Sequence, residues 1–354
     1  MRFWIRILSV VLALAAIMTI GGCANAAWGA KSDNDSVPPG LYILGVIYAF
    51  NEAYTHDLDT AQRLDKQEIE GINAYDWVLA ETEDYVEEYF AVNAIFAEKG
   101  LSFTENEIDA YKLECDNQWV TEKDFFEYNG VSKSSLELTF ESSAKRTKIF
   151  NYFYSSEGEF GLSEADFITM LNTEYGLAKM VSPSFEPYVS TGNEAEDAQQ
   201  ARAEAQSYYD RIRAGENIDV VIIDFQKKLY EAFELDTSAL VVPEDPDTML
   251  DVISRKDAYS PEFEKSFWSA PFNEPFMFED DVRIYVGLRY DFNARPDLVE
   301  EVREGVLWEQ HGDAFTQILE DKYTTQNITF NSGIVNQFTP AKMKLEQQSG
   351  YGGY

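Results

Sequence analysis

Histidine is almost missing from this chain: His56 and His311 are the two imidazoles in 354 residues. So few exclude a His-rich metal site and leave little room for a His-based catalytic triad. Basic residues are scarce too, with 28 Lys and Arg against 63 Asp and Glu, for a formal charge of −35. Phosphate backbones repel such a protein, so nucleic acid is excluded as a partner. Anionic membrane surfaces repel it as well, and attachment to a membrane needs something stronger than electrostatics. The hydrolase signatures G-x-S-x-G and H-E-x-x-H are missing, as is any Cys–His pairing, and no cofactor motif is present. Paired acids such as Asp280-Asp281 are too common in so acidic a sequence to argue for glycoside hydrolysis. No long apolar run occurs beyond the first residues; ILSVVLALAAIMTI at residues 7–20 falls short of the ~20 residues that a membrane span needs.

What is present is a real core. The sequence is 45% hydrophobic and 14% aromatic, which argues against global disorder despite the charge. Its length suggests two domains or more, at roughly 100–200 residues each. Arg2 and Arg6 followed by the short apolar run make residues 1–22 an export signal. Ile20-Gly21-Gly22-Cys23 then resembles the bacterial lipobox, which implies cleavage before Cys23 and diacylglyceryl transfer to its thiol. At roughly 0.8 kcal/mol per buried CH₂, several acyl groups anchor firmly. The implied location is the extracytoplasmic face of a bacterial cell membrane, of Gram-positive type. With Cys23 acylated, Cys115 has no partner, so no intrachain disulfide is expected. Cys115 falls in helical register with Ile108, Tyr111 and Trp119 and reads as a core thiol.

Residues 23–39 carry the lipidated Cys and a polar, Pro-terminated stretch that reads as a flexible tether. Residues 40–178 are mainly helical. Thr104 and Glu107 form a capping box with Phe103 and Ile108 as its staple; Ser163 with Asp166 repeats the pattern, and Ser132 does so more weakly. Gly100, Gly130 and Gly161 precede these starts, as expected just past a helix end. A helix over 74–98 buries Leu79, Val86, Phe90, Val92 and Phe96 and carries Glu81, Glu83, Asp84, Glu87 and Glu88 on its other face. That acidic run reads as a solvated face, the alternatives being a cation site or a client-attracting surface; no calcium-loop pattern accompanies it and no metal site is assigned.

Residues 179–290 change character to a β-α-α-β pattern, with a strand at Lys179–Ser182, a long helix over 194–213, a helical piece near Thr248–Ser254 and a closing strand at Val282–Arg289. A helix over 296–322 follows, with His311 on or beside its apolar seam as a packing residue, and 327–338 adds a short strand or extended arm. The tail, 339–354, is low in core-formers and reads as disordered.

Several stretches together resemble the extracytoplasmic foldases of the PrsA and SurA kind. They are FAEKGLSFTENEIDAYK, NGVSKSSLELTFESSAKRTKIFNYFY, GLSEADFITMLNTEYGLAKMV, ARAEAQSYYDRIRAGENIDVVIIDF, SPEFEKSFWSAPFNEPF and QNITFNSGIV, and they span most of residues 45–338. The resemblance implies a predominantly helical α+β protein: a split, SurA-N-like helical chaperone domain (40–178, completed by 291–338) with a small parvulin-like domain (179–290) inserted. Active parvulins (PpiC-type peptidyl-prolyl isomerases) place one His in the first strand and one in the last. Here those positions fall near Met180 and Ile284, and the Gly-rich loop before the aromatic stretch is missing from DAYSPEF. The resemblance therefore implies a lipid-anchored chaperone that binds unfolded secreted proteins through basic or apolar segments, with a weak or silent isomerase domain and no cofactor. Candidate client contacts are Trp77, Tyr85, Tyr89 and Trp268. An active peptidyl-prolyl isomerase is the second reading. A solute-binding lipoprotein is the third, disfavoured because such proteins are built from repeated strand–helix lobes.

Overall fold

The computed structural model describes residues 28–187, 189–245 and 247–345. The export signal, Cys23 and residues 346–354 lie outside the described residues. The described residues divide into two compact units, 28–160 with 310–345 (unit 1) and 161–309 (unit 2). Among the described residues, no helix is long and apolar enough to cross a membrane.

Unit 1 opens with a hairpin of β1 (Ala30–Lys31) and β2 (Ser36–Val37). Ala30 and Val37 are buried, so residues 28–39 are structured where a tether was expected. α1 (Pro39–Ala53) starts on Pro39, whose missing N–H is no loss in a first turn, and is buried almost all round. A second hairpin, β3 (Glu68–Ile69) and β4 (Ile72–Asn73), leads into α2 (Ala74–Glu98), where the Asn73 side chain accepts from the Tyr75 N–H. α3 (Glu105–Asn129) carries the expected capping box: Thr104 accepts from the Glu107 N–H, and Glu107 accepts from the Thr104 N–H at 2.7 Å. α4 (Lys133–Tyr154) is capped by Ser132. Cys115 is buried among Ile43, Phe126 and Leu136, and burial pushes its thiol upward, as a core thiol requires.

Unit 2 begins with α5 (Glu164–Glu174), capped by Ser163. β5 (Tyr175–Val181) follows, then α6 (Glu194–Arg213) and α7 (Ile218–Ala232), capped by Asn193 and Asn217. The piece near Thr248–Ser254 is not helical: it is β6 (Asp251–Ser254), in which β-branched Val252 and Ile253 pair with Leu177 and Gly176. α8 (Pro261–Ser269), β7 (Pro275–Glu279) and β8 (Ile284–Tyr290) complete an antiparallel sheet of order β6-β5-β8-β7. α6 and α7 cover one face, over Val181, Ile284 and Val286; α8 covers the other, over Ala178, Phe276 and Tyr285. The unit's limits lie wider than residues 179 and 290. Phe167 and Leu171 of α5 are buried, the Arg303 guanidinium sits 4.3 Å from the Phe167 ring, and Glu309 accepts from Ser254 and pairs with Lys256.

α9 (Pro296–Tyr323) contributes residues to both units, changing at Gln310. In unit 1 the returning segment closes the core. Phe315 packs edge-on against Phe150 at 5.3 Å, and β9 (Thr329–Phe330) pairs with β1, placing Phe330 6.4 Å from Tyr42. The arm expected over 327–338 is thus β9 followed by a short helix, α10 (Ser332–Gln337). Nor is the polypeptide disordered from Thr339: Leu345 packs against the core, and the Lys344 N–H donates to Asn129 at 3.1 Å.

One ion pair in unit 2 is fully buried. Lys179 of β5 donates to Asp219 in the first turn of α7, where the helix dipole also favours a carboxylate. Removing one partner leaves a buried charge uncompensated. Lys179→Met should therefore destabilise unit 2 by about 3–5 kcal/mol in denaturant unfolding, and Lys179→Met with Asp219→Leu should recover most of it. Additive losses in the double variant would contradict the pairing.

Candidate functional site

Met180 and Ile284, the positions named from the family resemblance, lie on β5 and β8 of the unit 2 sheet. Strand alternation separates them. Met180 packs on the α8 side, whereas Ile284 belongs to the core under α6 and α7. The β8 residues on Met180's side are Tyr285, Gly287 and Arg289, and Gly287 is the direct partner of Met180. Met180 and Ile284 therefore point to opposite faces of the sheet.

Aromatic rings fill the face under α8. Phe263 and Phe267 of α8 are both 0% exposed. The Phe263 ring lies 4.8 Å from Tyr285 and 5.1 Å from Phe267, and Phe278 lies 5.3 Å from Tyr285. Gly176 permits the close approach, since a Cβ there would stand 2.1 Å from the Phe267 ring. Asp280 fixes the arrangement. It accepts from the Val282 and Arg283 N–H groups, from Ser260, which caps α8, and from the Tyr285 hydroxyl at 3.0 Å. Burial pushes the Asp280 carboxyl up, but these hydrogen bonds outweigh it and hold it below its usual range. Residues 161–309 contain no His and no Cys. The face thus presents packed rings, and its carboxylate Asp280 is engaged.

Unit 1 holds a different feature, an acidic cleft of about 320 Å³ formed by α1, α2 and the end of α9. Glu52, Glu81, Asp84, Glu88 and Glu320 line it, with Tyr48, Tyr85 and Tyr323 as aromatic walls. Gly45 lets α1 approach: a Cβ there would come within 2.9 Å of the Tyr85 ring. Arg146 pairs with Glu88 at 2.8 Å. Burial raises the carboxyls of Glu81, Glu83, Asp84 and Glu87, and like-charge neighbours raise them further, Asp84 for Glu81, Glu83 and Glu87, and Glu320 for Asp84. Among the described residues no acidic, His or Cys cluster converges to hold a metal ion. Part of the acidic helix face is therefore the wall of a cleft rather than open surface.

Of the four candidate contacts, Trp77, Tyr85 and Tyr89 belong to unit 1 and Trp268 to unit 2. Trp77 is buried among Phe50, Leu64 and Val78, with His56 5.2 Å from its ring, so it offers no surface to a client. Tyr85 does line the cleft, 5.6 Å from Tyr48, and its hydroxyl meets Thr139 at 2.9 Å. Tyr89 is half-buried against Phe90, and burial pushes its hydroxyl up to about 12. Trp268 is half-buried on α8 in unit 2. Glu52, Tyr48, Glu320 and Tyr323 were missed because nothing local in the sequence places α1 and the end of α9 beside α2. His311 stacks on Tyr154 at 4.6 Å and burial lowers its pKa, in keeping with a packing role.

The raised carboxyls make a signed prediction. Each binds a proton more readily folded than unfolded, so their contribution is full below the ordinary carboxylate range and is lost as pH rises through the raised folded values. Asp84→Asn should raise the melting temperature at pH 7 by about a degree or two, and the gain should vanish near pH 3. A lower melting temperature at pH 7 would refute the repulsion.

No protein-family model matches the sequence, and no curated protein matches it. Among solved structures, the protein is similar to the foldase protein PrsA from Lactococcus lactis, at 9% identity over 88% of this sequence and 99% of that one, with a TM-score of 0.33. It is also similar to PrsA from Bacillus subtilis, at 11% identity over 87% of this sequence and 96% of that one, with a TM-score of 0.27. At such identity neither structure assigns a role to any side group here.

Proposed function

We propose that the protein is an extracytoplasmic chaperone and foldase, anchored through Cys23, that binds unfolded secreted proteins and has weak or no prolyl isomerase activity. One observation carries the reading: residues 161–309 form their own unit, while 310–345 return to complete the core of 28–160. A split helical domain with an insert is the architecture that the foldase resemblance implies.

The ring-filled sheet face supports the silent insert. Prolyl isomerisation breaks no bond, but lowering its barrier of ~18–20 kcal/mol needs a pocket that holds the proline and the twisted amide. Phe263, Phe267 and Tyr285 occupy that space, and Tyr285 is tied to Asp280. The acidic, aromatic-walled cleft of unit 1 supports client binding. Its carboxylates attract basic segments, its tyrosines supply amphipathic contact area, and the overall charge of −35 keeps a client complex soluble.

The test is aggregation of a reduced, basic secreted protein diluted from denaturant and followed by light scattering. The protein lacking residues 1–22 should suppress scattering at near-equimolar amounts. The effect should weaken at about 0.5 M salt, where the screening length falls to a few ångströms. Unchanged scattering at several-fold excess would overturn the reading.

A further inference from the structure

Unit 2 contains a basic pocket in a strongly acidic protein. It is an open cavity of about 540 Å³ between α8, the end of α5, the turn after β6 and the end of β8, lined by Arg255, Glu264, Lys265, Trp268 and Arg289 among others. Glu264, Lys265 and Trp268 share one face of α8, at spacings of one, three and four.

Arg289 stands out. It is 5% exposed and makes no ion pair among the described residues. Its Nη1 donates to the Trp268 carbonyl at 2.8 Å, its Nη2 to the Asn172 carbonyl at 2.9 Å, and its Nε has no acceptor. The guanidinium lies 4.6 Å from the Phe272 ring and 5.5 Å from that of Phe267. Burial lowers its pKa, Asp291 raises it and Arg255 lowers it again. Asp291 is already engaged by Asn172 and Asn293. A guanidinium held by neutral carbonyls is hydrogen-bonded, and Asp291 compensates its charge only from a distance, without an ion pair; a buried charge so weakly compensated is costly.

The other groups add to that field. Arg255 sits 5.5 Å from the Trp268 ring, and its Nε donates to Glu264 at 2.8 Å while Nη1 reaches the Thr173 carbonyl. Lys265 is exposed and forms no ion pair among the described residues. The Trp268 Nε1–H is buried without an acceptor. Three cations therefore stand near two carboxylates, Glu264 and Asp291, both already hydrogen-bonded, and two N–H donors lack acceptors.

We propose that this pocket binds a peptide carboxylate. Arg255 and Lys265 contact the anion, the Arg289 charge stands behind them, and the Trp268 ring packs against the neighbouring apolar residue of the peptide. Guanidinium and ammonium groups select carboxylates by charge-assisted hydrogen bonding. An acidic residue and the C-terminus of a polypeptide supply the same group. That the carboxylate belongs to a polypeptide rests on the client-binding reading; the preference for an anion does not.

The experiment uses the whole protein and three short unlabelled, N-acetylated peptides containing Phe, read by titration calorimetry at low salt. One has a free C-terminus, one is its amidated twin, and one is amidated with a single internal Asp. At least one carboxylate peptide should bind about tenfold more tightly than the neutral twin, equivalent to 1.4 kcal/mol. Which one binds identifies the source of the carboxylate. Lys265→Glu, on an exposed position, should abolish that preference, and Arg255→Gln with Glu264→Gln should weaken it, both with unchanged circular dichroism. Equal binding of all three peptides, or unaltered preference in both variants, overturns the proposal. A protein that suppresses aggregation yet discriminates no peptide removes the pocket alone. A protein that prefers carboxylates yet suppresses no aggregation removes the client reading alone.

Discussion

The core of unit 1 is closed by residues from the far end of the sequence, and that constraint shapes everything else. Tyr42, Phe150 and Ala30 belong to the first part of the unit, yet the rings and backbone that cover them, Phe315, Phe330 and Leu345, arrive only after residue 309. Burying an aromatic residue contributes roughly 1.5–3 kcal/mol, so residues 28–160 alone would leave several such contacts unmade. The intervening segment must then fold as an insert. Its sheet order answers this: β5 and β8, the first and last strands of unit 2, are direct neighbours, pairing Leu177 with Tyr290 through Val181 with Val286. A segment whose terminal strands pair with each other can be carried within another unit's sequence.

Within the insert, packing and chemistry compete for the same sheet face. A catalytic pocket needs space and groups that are free to move protons or polarise an amide. Here the space is taken by rings that bury large apolar area, and the one strongly interacting acid, Asp280, is committed to holding Ser260 and Tyr285 in place. The opposite face is equally closed, by the Lys179–Asp219 pair and the packing of α6 and α7. Two buried N–H groups without acceptors among the described residues, Arg289 Nε near the end of β8 and Trp268 Nε1 on α8, lie beside the packed rings.

Much of the helical architecture was legible in the sequence because its signals are local. Caps at Thr104, Ser132 and Ser163 mark helix starts that the structure places at Glu105, Lys133 and Glu164. The predominantly helical α+β class was legible as well. What was not legible depends on distant partners. The two-residue strands β1 and β2 exist because β9 pairs with β1 some three hundred positions later, and no composition signal reports that. β6 reads as a helix until β5 supplies its hydrogen bonds. The acidic run of α2 reads as solvated surface until Glu52 and Glu320, from two other helices, make it a cleft. Met180 and Ile284 were placed from family positions, and strand alternation puts them on opposite faces of the sheet.

The scarcity of histidine and the excess of acid, a formal charge of −35, fit the proposed client binding, and the rings packed under α8 fit the proposed silent insert. The most direct measurement is a refolding reaction limited by proline isomerisation, with an intrinsic phase of roughly 10–100 s, repeated with this protein at equimolar concentration. The rate constant of that phase should stay unchanged. Clear acceleration, on the order of tenfold, would contradict the packed face and assign the insert a catalytic role.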